Sequence, residues 1–173
     1  MSEVAEYSAV EHLRDGRPIE IRALRPGDRD AMLAAIGRTS TQSLQRRFFA
    51  PKKGFSEQEL AYFLNIDFEA HVALIAQIEE DGHPAIAAGG RYIVVVPGQA
   101  EIAFVVVDAY QSQGIGTILM RHLEQLARGA GLKELIAEVL PENTAMLKVF
   151  RKFGFRPSLK RTPQVVHLAL QLS

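Results

Sequence analysis

The sequence predicts an α+β domain with a mixed, mostly antiparallel sheet, and three features point there. Residues 71–107 hold three apolar runs divided by Asp81-Gly82 and Pro97-Gly98, the pattern of a meander with tight turns. Residues 115–126 then keep an apolar three-four spacing, which is helical. A strand, a helix and a last strand follow in alternation. With 173 residues, 47% of them hydrophobic and 23% charged, the chain supports one core and leaves little room for a second.

Residues 1–17 are polar, show no sustained period, and read as a flexible lead-in with room for a short first strand, ahead of a single domain over 18–173. Ile19, Ile21 and Leu24, with Glu20 and Arg22 interleaved, predict a strand closed by Pro26-Gly27. Asp28 is placed to cap a helix whose apolar face is Met32, Leu33 and Ile36. Ser40-Thr41 opens a second short helix with Leu44, Phe48 and Phe49. Ser56 and Glu59 form a capping box, ahead of a stripe of Leu60, Phe63 and Leu64. The meander strands fall at 71–78, 85–96 and 101–107. The long helix carries Ile115, Ile118, Leu119, His122, Leu123 and Leu126 and ends at Gly129 and Gly131. A strand at 135–140 precedes a helix capped by Asn143 and stopped by Gly154, and residues 165–172 form the final strand.

Composition removes several classes of function. Lys and Arg total 20 and Asp and Glu total 20, so no net charge argues for a nucleic-acid partner. The absence of cysteine excludes disulfides, thiolate metal sites and thiol nucleophiles. No apolar run is long enough to span a bilayer, and Glu3 and Glu6 mark the start as no secretory leader. A cytoplasmic protein without a membrane partner is the expectation. His12, His71, His83, His122 and His167 are scattered without metal-ligand spacing, so no metal is expected.

Gln111-Ser112-Gln113-Gly114-Ile115-Gly116-Thr117 lies between a buried strand and a helix start, where backbone N–H groups lack intrahelical partners. Gly114 and Gly116 allow a phosphate to approach the backbone, although a glycine-rich helix start that binds nothing has the same local sequence. A P-loop needs Lys-Ser or Lys-Thr where Thr117-Ile118 stands. A dinucleotide fingerprint needs a small residue at Leu119 and a parallel βαβ unit.

The stretch resembles the Gln/Arg-x-x-Gly-x-Gly/Ala pattern of the GNAT superfamily of acyl-CoA-dependent N-acyltransferases, and the resemblance runs from about Ile19 to the C-terminus. It takes in Asn143, Ala145 and the Phe150-x-x-Phe153-Gly154-Phe155 helix end. Ser43-Leu44, Arg46-Arg47-Phe48-Phe49, Ile66-Asp67, His71-Val72-Ala73, Ala100-Glu101-Ile102-Ala103, Glu138-Val139-Leu140 and Met146-Leu147 are similar to the acetyltransferase domain of bacterial protein lysine acetyltransferases. Such domains often follow a large acyl-CoA-synthetase-like region, which these residues do not contain.

The resemblance implies helices on both faces of the sheet and a splayed parallel pair, residues 101–107 and 135–140, with acetyl-CoA between them. The diphosphate then rests on the turn, and the donor-binding residues are Val105, Val106, Gln111, Ser112, Gln113, Gly114, Ile115, Gly116, Thr117 and Asn143. Asn143 is equally a helix cap. Glu101 is the implied general base, and Glu138 competes with it. Phe150 stands where many members carry a tyrosine acid, so the thiolate is expected to leave without a side-chain proton. The acceptor is a primary amine, foremost a protein lysine, with residues 39–66 as its wall, and the chain acts as a monomer or homodimer. The alternatives are a small-molecule amine acetyltransferase and an acyl-CoA-sensing module without turnover.

Overall fold

Strand pairing organises nearly the whole chain. The computed structural model describes residues 3–39, 56–158, 162 and 164–172. The strands are β1 (Ser8–His12), β2 (Pro18–Ala23), β3 (His71–Glu80), β4 (His83–Val96), β5 (Gln99–Val106), β6 (Glu134–Val139), β7 (Arg156–Pro157) and β8 (Val166–Gln171). They make one eight-stranded sheet in the order β1-β2-β3-β4-β5-β6-β8-β7. The described helices are α1 (Arg29–Gly37), α2 (Glu57–Leu64), α3 (Ile115–Gly129) and α4 (Thr144–Lys152). The helix expected from Ser40-Thr41 lies outside the described residues. Among those residues no helix is long and apolar enough to cross a membrane.

The meander follows its turn chemistry. Asp81 and Gly82 both take positive φ, 51° and 80°, as a two-residue hairpin between right-twisted strands requires. Every pairing in the sheet is antiparallel except β5 with β6. That parallel ladder holds only Gln99↔Glu134, Ala100↔Leu135 and Glu101↔Ile136. Both strands then run on, to Val106 and Val139, without pairing to each other.

Alternation along β5 assigns its two faces. Ala100, Ile102 and Phe104 are buried, and the Phe104 ring lies 5.9 Å from that of Phe150 on α4. A Cβ on Gly90 would fall 2.6 Å from the Phe104 ring and 3.0 Å from Leu123 of α3, so only glycine lets these elements close. Ala103 and Val105 face the other way, toward a small apolar cavity shared with Met32, Ala35 and Ile36 of α1. α3 turns Ile115, Ile118, Leu119, Met120, Leu123 and Ala127 into the core.

Within the segment read as a lead-in, the described residues 3–17 carry regular structure. Residues Glu3–Glu6 form a 3₁₀ turn, and β1 pairs along β2 from Ser8↔Arg22 to His12↔Pro18. Neither face of β1 is fully buried, so the strand left no hydrophobic period to read. Polar contacts fasten it instead: the Tyr7 hydroxyl and the Glu11 carboxylate sit on the two ring nitrogens of buried His122, at 2.5 and 2.6 Å. The two-residue β7 also escaped the sequence reading, being too short to show alternation.

Asp28 occupies the cap position of α1, yet its side chain caps no N–H of that helix. It takes the Arg22 guanidinium in a fork, at 2.9 and 2.8 Å, and accepts the Arg25 N–H at 2.7 Å. A guanidinium whose side chain is 8% exposed demands a carboxylate more strongly than a helix end does. A second cluster secures the segment ahead of α3. The Tyr110 hydroxyl donates to Glu80, which also receives Arg38 at 2.7 and 2.6 Å, and Arg17 lies over the Tyr110 ring at 5.6 Å.

Two outcomes follow from these clusters. Asp28→Ala strands a buried charge and should destabilise the fold by about 3–5 kcal/mol in urea unfolding; a loss below 1 kcal/mol would assign the pair little weight. The Arg38 guanidinium, then the Tyr110 hydroxyl, hold the Glu80 carboxyl at about 2. For Asp28, burial pushes the carboxyl up, but the bonds from Arg22 and the Arg25 N–H overcome it and leave it below its usual range. Both values are depressed in the folded state, so their stabilisation is whole above the unfolded carboxylate pKa of ~4 and drains below it. The urea midpoint should hold from neutral pH to about 5 and fall from about 4 toward 2, less steeply in Glu80→Gln.

Candidate functional site

Beyond the last β5–β6 pair, a cleft of about 550 Å³ opens between the end of β5, the turn before α3 and one face of α4 along its length. Val105, Val106, Gln111, Ser112, Gly114, Ile115, Gly116, Thr117 and Asn143 all line it. Gln113 does not; its carbonyl accepts the Arg14 backbone N–H at 3.4 Å. The structure therefore gathers into one place residues that the sequence spreads over four elements and loops.

The turn is shaped by left-handed backbone. Ser112 has φ 69° and Gly114 φ 87°, and such alternation aims successive N–H groups into a concavity. Ser112 holds this conformation without being glycine, a local strain of the kind found at binding sites. The first α-helical bond of α3 joins the Ile118 N–H to the Gly114 carbonyl at 3.1 Å. The N–H groups of Ile115, Gly116 and Thr117 precede it, so the helix gives them no acceptor, and its dipole adds positive potential there. Gln111 Nε2 donates to the Val106 carbonyl at 3.2 Å and fixes the turn to the end of β5. A Cβ on Gly116 would meet only Met146 and Val149, at ordinary 3.7 and 3.8 Å contacts. The glycine is thus not demanded by its neighbours; its effect is to keep the cleft clear at the helix start.

Asn143 is a cap, accepting the Met146 N–H at 3.4 Å, while it also lines the cleft. Glu101 is half-buried and does not line the cleft; it sits at the last paired position before the strands diverge, on the face of Ala103 and Val105. Val105 borders both the cleft and the α1-side cavity, and so links the two faces. Glu138 lies on that same face of β6, with its carboxylate 3.7 Å from His167 Nδ1. Phe150 is 2% exposed and packs between Phe104 and Phe155, away from the cleft lining. Of the expected acceptor wall, residues 40–55 lie outside the described residues. No cluster of His, Asp and Glu fit to hold a metal occurs among the described residues.

Sequence reasoning misses Arg14, Tyr110 and Lys148; it lets Lys152 approach the 3′-phosphate but reads basic residues on late helix faces as solvated, and all four line the cleft. The spacing of Lys148 and Lys152, four apart on a capped helix, was a readable signal. Arg14 offered none, since its partner Ser112 is 98 positions away.

Comparison with known proteins now bears on this geometry. The profile of the acetyltransferase (GNAT) family matches residues 39–155. An acetyltransferase of Pseudomonas aeruginosa is 34% identical over 147 residues, 84% of this chain and 79% of that protein. The acetyltransferase Pat of Mycolicibacterium smegmatis is 31% identical over 82% of this chain, which spans 42% of that relative's length. The crystal structure of the GNAT domain of S. lividans PAT superposes with a TM-score of 0.87, at 31% identity, covering 95% of this chain and 96% of that one. With its fold, its splayed strand pair and more than half its residues matched, the chain belongs to the GNAT acetyltransferase family.

Proposed function

We propose that the protein transfers the acetyl group of acetyl-CoA directly to a protein lysine side chain, with Glu101 as general base. Acetyl transfer with acetyl-CoA as donor is the chemistry of the family. The acceptor and the base are our reading. One observation carries it: a glutamate stands at the last pair before two parallel strands separate, and an anion-favouring turn lies past the free end of one of them. The similarity to Pat and to S. lividans PAT supports a protein acceptor.

A lysine of pKa ~10.4 is protonated at neutral pH and must first lose a proton. Glu101 takes it, directly or through a water. The amine nitrogen then bonds to the thioester carbon, and the oxyanion is met by main-chain groups of Val105 and Val106, beyond the last β6 pair. Collapse breaks the C–S bond, and the nitrogen passes its second proton to solvent to leave the neutral amide. A thiol of pKa ~8.5 leaves readily as thiolate and is protonated by solvent, consistent with Phe150 being core. Without cysteine the chain has no thiol to carry the acetyl group, which favours transfer in a ternary complex.

Glu101→Gln should cut kcat by ~10²-fold or more while leaving acetyl-CoA affinity within a factor of a few. Near-normal turnover would pass the role to Glu138. Gly116→Arg fills the cleft at the helix start and should abolish acetyl-CoA binding in calorimetry with the melting temperature retained. Binding at wild-type strength would sink the donor-site reading. Phe150, lacking a proton, also suits a module that binds acyl-CoA without turnover. Mass spectrometry of lysine-bearing proteins and of small amines incubated with acetyl-CoA separates these alternatives by the product found.

A further inference from the structure

The turn that receives the diphosphate carries no cationic side chain, for residues 111–117 are all neutral. CoA brings a diphosphate and, at its adenosine end, a phosphomonoester. The cations come from elsewhere in the chain. Arg14, in the loop between β1 and β2, donates its backbone N–H to the Gln113 carbonyl at 3.4 Å and its Nη1 to the Ser112 carbonyl at 3.3 Å. Its Nε lies 3.4 Å from where a Cβ on Gly114 would stand, so the guanidinium rests against the turn. Lys148 and Lys152, one helical turn apart on α4, line the same cleft. No carboxylate stands among the described lining residues.

Nearby arginines behave differently. Arg17 is paired with Asp15 at 2.8 Å, Arg38 with Glu80 at 2.6 Å and Arg121 with Glu11 at 2.5 Å. Arg14 has no carboxylate among the described residues and spends one of five N–H donors on a carbonyl. It stands beside a helix N-terminus, whose dipole repels a cation. A phosphate placed between the guanidinium and the helix N-terminus would be attracted by both.

We propose that Arg14 is the diphosphate-binding side chain of the donor site, delivered by the N-terminal hairpin. Lys148 and Lys152 take the phosphomonoester, so the cleft selects CoA over dephospho-CoA. The inference rests on the cleft being the acetyl-CoA site.

Calorimetry with CoA and with dephospho-CoA tests it on the full chain, in wild type, Arg14→Gln, Arg14→Lys and the Lys148→Gln/Lys152→Gln pair. Arg14→Gln should weaken both ligands alike, by ~10-fold or more, and Arg14→Lys should recover part of the loss. The gap from wild type should narrow as NaCl rises, since the lost contact is ionic. The lysine pair should weaken CoA and spare dephospho-CoA. Wild-type affinity in Arg14→Gln, or a loss unchanged by salt, overturns the Arg14 assignment; equal weakening of both ligands by the lysine pair overturns theirs. Wild type binding neither ligand instead defeats the donor-site reading itself.

Discussion

Two parallel strands that stop pairing while still extended leave N–H and C=O groups facing a gap, and such groups must find partners. β5 and β6 do this after Glu101↔Ile136, and the rest of the domain is arranged around the consequence. β4 holds β5 in register on its other edge, and β8 holds β6, so the gap cannot close by sliding either strand. Behind the gap, Phe104 of β5 packs through Phe150 to Phe155, with the rings tilted at 50° and 59°. A ligand with its own amides and phosphates is then a better partner for the gap than the protein itself supplies.

The turn at one end of this gap is held from both directions. Gln111 ties it to β5, and the Glu80–Arg38–Tyr110 cluster fixes the segment just before it. On the solvent side the N-terminal hairpin closes over it through Arg14 and Arg17. The same hairpin is anchored further along by Tyr7 and Glu11 on His122, inside the helix that the turn initiates. One element therefore touches both the start of α3 and its middle.

The sheet and its helices were legible because their cues are local. Asp81-Gly82 and Pro97-Gly98 dictate turns whatever surrounds them, and Ser56 with Glu59 forms the capping box seen, at 3.1 and 3.0 Å. The bounds of β1 were not legible, because a strand held by pairing and by polar contacts has no apolar face to announce it. Asp28 misled for a different reason: its sequence position is that of a cap, and only the burial of Arg22, six positions earlier, reveals its use. The glycine turn was read from its neighbours in sequence, whereas Arg14 reaches it across a fold that no local pattern encodes.

The 98 positions between Arg14 and Ser112 also set an order of assembly. During synthesis the hairpin emerges long before the turn it covers, and α4, which bears the opposite wall, comes later still. Contacts so far apart form late and slowly, because loop-closure entropy must be met before they repay it. A nascent chain arrested before α4 therefore holds most of a sheet and half of a pocket, and competence for the donor arrives only when α4 packs against the turn.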